Sequence, residues 1–81
     1  MCWIKCRISD GLVDHEKVAK FESYNGDTVE VSVFRSLVDE PNGLLKADKI
    51  AHQHERVLIE LPTESARGDW RAWVKPELVR E

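Results

Sequence analysis

Over residues 2–9 apolar and polar positions alternate: Cys2, Ile4, Cys6 and Ile8 fall on one side of an extended chain, and Trp3, Lys5, Arg7 and Ser9 on the other. A period of two predicts a half-buried β-strand, with Ser9-Asp10-Gly11 as the turn that ends it. Residues 17–34 predict a hairpin about Asn25-Gly26-Asp27. Val29, Val31 and Val33 share one face of its second arm, and Ala19 and Phe21 are the apolar pair of the first. A two-residue Asn25-Gly26 loop would set Phe21 opposite Glu30. A three-residue loop over 25–27 sets Phe21 opposite Val31 and Ala19 opposite Val33, with Gly26 left-handed. Because a one-residue slip turns every side chain to the other face, burial selects the three-residue loop.

Beyond Phe34 the alternation stops. Arg35–Asp39 forms a short segment whose Leu37 and Val38 cap the hairpin, and Pro41-Asn42-Gly43 forms a turn. Residues 44–53 support two readings. Leu44, Ala47 and Ala51 have helical spacing and predict a short helix, while a strand through Leu44–Ile50 competes with it. Arg56–Leu61 is a β-branched strand ended by Pro62, followed by a polar loop over 63–68. The last strand runs from Asp69 to Lys75, with Trp70, Ala72 and Val74 on one face and Arg71, Trp73 and Lys75 on the other. Pro76–Val79 makes a second short turn.

Two halves echo one another, approximately 1–40 and 44–81. His15-Glu16-Lys17-Val18 is matched by His54-Glu55-Arg56-Val57, and Gly26-Asp27 by Gly68-Asp69. The stretch Val33–Glu40 is matched by Val74–Glu81, each with a Leu-Val pair four residues after its valine. An imperfect internal duplication accounts for the common order of these matches. A hairpin plus a closing turn cannot bury its own apolar face, so two such units would pack together. The expected fold is a single domain over 1–81, mainly β: a small partly open barrel or sandwich of five to six short antiparallel strands. That order of strand, hairpin and short turn resembles SH3-like barrels in outline, without a signature peptide of that family, and a fold does not set a function.

Composition narrows the setting. A chain of 81 residues has a thin core. Its net charge of −3 argues against a surface that is basic throughout and grips nucleic acid, though a local basic patch stays compatible with it. No apolar run approaches the roughly 20 residues of a membrane span, and the first residues lack the pattern of a secretory signal. Cys2 and Cys6 sit too far apart along one strand to bridge, which points to reduced thiols and a cytoplasmic location. A small core without cross-links points to self-association as a source of stability.

Candidate chemistry centres on an outward face seen twice. Trp3, Lys5 and Arg7 line the first strand, Arg71, Trp73 and Lys75 line the last, and Arg67 in the preceding loop extends the second set. Aromatic residues flanked by cations suit a protein partner or a second copy of the chain, and alternatively a nucleic acid or other anionic ligand. The packing alternative makes the two strands neighbours, with Trp3 and Trp73 covering each other. His52, His54, His15, Cys2 and Cys6 are metal-ligand types, but both cysteines fall on the apolar face, so no metal or cofactor is expected. No nucleophile motif, phosphate loop or His-Glu-x-x-His is present, which favours a non-enzymatic interaction module.

Overall fold

In the computed structural model, which describes residues 1–81, the N-terminal alternation builds two strands: β1 (Cys2–Lys5) and β2 (Arg7–Asp10). Cys6 separates them. Its N–H donates to the Gly43 carbonyl at 2.8 Å, and the chain passes there from one sheet to the other. The apolar face is the expected one: Cys2 and Ile4 are buried, and Cys6 and Ile8 pack against the core. Then come β3 (Glu16–Glu22), β4 (Thr28–Phe34), a 3-10 turn over Arg35–Leu37 and β5 (Val38–Asp39). The second half follows with β6 (Leu44–Gln53), β7 (Arg56–Glu60), β8 (Arg71–Val74), a 3-10 turn over Pro76–Leu78 and β9 (Val79–Arg80).

These nine strands form two antiparallel sheets and do not close into a barrel. The smaller sheet has the order β2-β3-β4; the larger has β8-β7-β6-β1-β9, with β5 also paired to β6. The count exceeds the expected five to six because the first strand divides at Cys6 and each Leu-Val segment adds a two-residue strand. Ile4, Val31, Leu45, Ile59 and Val74 fill the centre of the core with almost no exposure.

Residues 44–53 are strand, and the competing short helix is not formed. The decisive partner is β1, which sets Ile4 opposite Leu45 and Cys2 opposite Ala47, all four buried. A helix there would leave the inner edge of β1 without backbone partners. The pairing with β7 shifts register between Lys49 and Ala51, so a bulge at Ile50 lets the strand bend from one partner to the next.

The first hairpin keeps its three-residue loop and its faces, but the loop lies one residue earlier, over 24–26. Ala19 is therefore opposite Val31 and Phe21 opposite Val29. Ser23 fixes this. Its N–H donates to the Asp27 carbonyl at 2.8 Å, its Oγ accepts from the Asp27 N–H at 3.2 Å, and its carbonyl accepts from the Gly26 N–H at 2.9 Å. Gly26 is left-handed at φ 90° and stands last in the loop, the place a type I turn with a following bulge reserves for glycine. The second hairpin turns the same way: the Ser65 N–H donates to the Asp69 carbonyl at 2.8 Å, Ser65 Oγ accepts from the Asp69 N–H at 3.0 Å, and Gly68 has φ 90°.

Each tip is tied to the other half. The Tyr24 N–H donates to the Trp73 carbonyl at 2.7 Å, and the Ala66 N–H to the Glu30 carbonyl at 2.8 Å. The closing strands also match: Val38 is opposite Leu45 and Val79 opposite Ile4. Lys17 sits opposite Val33 as Val57 sits opposite Val74, so the His15–Val18 and His54–Val57 match is one residue out of step with the ladders. Trp70, expected beside Ala72 and Val74, lies before β8 and is 54% exposed. Its carbonyl still accepts the Leu61 N–H at 2.8 Å, which holds the backbone while the ring stands at the loop end of the hairpin.

Candidate functional site

The break at Cys6 shapes a basic cleft. Lys5 ends β1 and Arg7 begins β2, so the two cations flank the crossing point. Arg7 lies opposite Lys20 on β3. Lys75 enters from the other half, held extended immediately before Pro76 opens the second 3-10 turn. Lys5, Arg7, Lys20 and Lys75 together rim a cleft of about 440 Å³. Cys6, Phe21 and Leu78 give it apolar walls, and Glu22, Ser23 and Glu77 complete the rim.

Lys5, Arg7 and Lys75 are exposed and none has an acidic partner within salt-bridge distance, while Lys20 stands 3.7 Å from Glu30. Burial pushes the Cys6 thiol up to about 11, so it remains protonated and serves as an apolar wall rather than a nucleophile. No histidine lines the cleft. Ser23 Oγ accepts from the Asp27 N–H and makes no hydrogen bond to a carboxylate or imidazole base.

The other expected site residues lie elsewhere. Arg67 and Arg71 line a second cleft of about 350 Å³ between the two hairpin tips, together with Asp27, Glu30 and Asp69. Its three carboxylates outnumber its two guanidinium groups, and Arg71 also pairs with Glu60 at 3.3 Å. Trp3 on β1 is half-buried between Lys46 and Arg80. Trp73 on β8 is half-buried opposite Leu58, with the Arg56 guanidinium carbon 3.9 Å from its ring centroid. That cation covers one face of the ring. Tyr24, whose backbone binds Trp73, donates its hydroxyl to Glu55 at 3.0 Å, and this bond raises its pKa.

Strands β7 and β6 lie between β8 and β1, so Trp3 and Trp73 are not on neighbouring strands and do not cover each other. No protein-family model, curated protein or solved structure matches this chain. The geometry alone therefore ranks the candidates. It brings Lys5, Arg7 and Lys75 together, adds Lys20, and leaves Arg67, Arg71 and both tryptophans outside the group.

Lys20 was hidden because its place depends on pairing with Arg7, which alternation within one strand does not reveal. No group of three or more His, Cys, Asp or Glu side chains is placed to share a metal ion. Cys2 is buried in the core with its thiol pKa raised by that burial, and His52 and His54 sit exposed around the β6–β7 turn. No helix is long and apolar enough to cross a membrane.

Proposed function

We propose that the protein is a small non-enzymatic interaction module that receives an acidic segment with an apolar side chain from a protein partner. The observation that supports this is the convergence of three unpaired cations, Lys5, Arg7 and Lys75, on a cleft with apolar walls. Its size, about 440 Å³, suits one or two side chains rather than an extended polymer. Exposed ion pairs on the rim contribute roughly 0.5 kcal/mol each, and a buried leucine-sized anchor about 1.5–3 kcal/mol. Sums of that size describe a transient contact in which the apolar anchor sets affinity and the cations set orientation.

Nucleic acid is the competing ligand. A phosphate backbone would need Arg67 and Arg71 to continue the basic track, and Asp27, Glu30 and Asp69 interrupt it there. Free Cys2 and Cys6 suit a reducing, cytoplasmic setting. The halves 1–40 and 44–81 are inferred to descend from one duplicated unit, on the strength of their shared Ser-x-x-Gly-Asp turn and equivalent ladders.

Titrating the 15N-labelled protein with a blocked acidic hexapeptide containing one leucine tests the function. Amide shifts are expected to concentrate at residues 5–7, 20–23 and 75–78, and Arg7→Glu or Lys75→Glu should weaken binding at least tenfold. Shifts centred elsewhere, or affinity indifferent to both substitutions, would overturn the proposal. Salt-sensitive binding of an oligonucleotide at the same residues, with none of the peptide, would install the competing ligand.

A further inference from the structure

The loop between β2 and β3 is built to hold a leucine out in water. The Gly11 N–H donates to the Glu16 carbonyl at 3.0 Å, and the Glu16 N–H to the Val13 carbonyl at 3.0 Å. The Glu16 carboxylate folds back and accepts the Leu12 N–H at 2.9 Å. That side chain passes so close to Gly11 that a Cβ there would lie 2.6 Å from Glu16 Oε1, so the glycine is needed for the clasp. Within this fixed frame Leu12 is 97% exposed and Val13 is half exposed. Asp14 stands next to them without an ion pair, and Asp10 at the loop's root is held by Lys17 at 2.6 Å. One exposed leucine is ordinary; one presented on a braced acidic loop is pre-organised for insertion, because little ordering entropy remains to be lost.

The same molecule carries the complementary shape. The cleft offers apolar walls from Cys6, Phe21 and Leu78 and unpaired cations at Lys5, Arg7 and Lys75. A chain's own loop does not fill its own cleft, because β2 runs between them and carries the loop some 13 Å away. We propose that the partner is a second copy of this chain, whose Leu12 enters the cleft while Asp14 faces Lys75 and Arg7. This rests on the proposed interaction module and names its occupant. Two copies exchanging loops would form a closed two-fold dimer; a one-way contact would propagate head to tail.

Sedimentation at low and high salt tests the contact. The wild type is expected to associate, with its dissociation constant rising at least tenfold between about 20 and 500 mM salt. Leu12→Asp and Lys75→Glu, both at exposed positions, should each weaken self-association at least tenfold with unchanged melting. Mixed together they should associate more tightly than either does alone, since one supplies an intact cleft and the other an intact loop. A wild type that stays monomeric at about 1 mM overturns the inference. So does association lost in Leu12→Asp but untouched by Lys75→Glu, which would instead mean that Leu12, Val13 and Phe34 stack patch on patch. A monomer that still binds the acidic peptide at the cleft would remove the second copy and leave the interaction module standing; one that binds neither removes both.

Discussion

The β3–β4 and β7–β8 hairpins share a turn and a pattern of ladder pairing but assign their side chains differently. At one ladder step Ala19 faces Val31 in the first, and Ile59 faces Ala72 in the second. The larger residue has changed strands while the pair's combined bulk has stayed close. At the next step Lys20 pairs with Glu30 at 3.7 Å and Arg71 with Glu60 at 3.3 Å, the same cross-strand pair with its signs exchanged. Further along, Lys17 takes the place held by Val57. It is buried to 9% exposure, and its ammonium reaches Asp10 at 2.6 Å and Glu40 at 3.2 Å. What the frame requires is therefore a property of the pair, its volume or its charge balance, rather than one residue type at one position.

The strongest way to break this comparison is Ile59→Ala, which empties a fully buried site and leaves an alanine facing the partly buried Ala72. It should cost about 2–5 kcal/mol in urea denaturation. Adding Ala72→Val copies the first hairpin's arrangement and should recover more than half of the loss; no recovery would mean that the two steps are not equivalent.

The lysine can be separated by pH. Its hydrogen bond and charge hold the Asp10 carboxyl below its ordinary value, while Asp10 and Glu40 raise Lys17 above its own. Asp10's contribution is present above about pH 4 and fades as pH falls through its lowered value. Lys17's contribution is complete below about pH 10 and fades as pH rises through its raised one. Melting temperatures of the wild type relative to Lys17→Val should thus be level between those limits and decline outside both. Parallel curves throughout would show that the cluster does not couple to folding.

The smallest effect belongs to the reversed ion pair. Both partners are well exposed, so Glu60→Lys should cost a few tenths of a kcal/mol and Glu60→Lys with Arg71→Glu should restore it.

Side-chain faces were legible in the sequence because alternation needs only a period of two, and Ile4, Val31, Val33 and Val74 are buried as it implies. Register was not. An even slip leaves every face unchanged, so the hydrogen bonds that Ser23 makes to Asp27 and Gly26 decide between Phe21 opposite Val31 and Phe21 opposite Val29. The division of the first strand depends on a carbonyl far along the chain at Gly43, and the strand at 44–53 on its pairing with β1. The cations of the site were legible singly, as outward residues of β1, β2 and the end of β8. Their convergence follows from where the second 3-10 turn packs, and the separation of the tryptophans from strand order, neither of which composition or spacing encodes.

The pairing of β9 with β1 draws residue 80 against residue 3, and Lys49 reaches Glu81 at 3.1 Å. β5 of the first half pairs with β6 of the second, and β9 of the second pairs with β1 of the first. Each closing strand is thus lent across the molecule, and neither half completes its sheet edge alone. Pulling the halves apart would strip a strand edge from both at once, so they must unfold together.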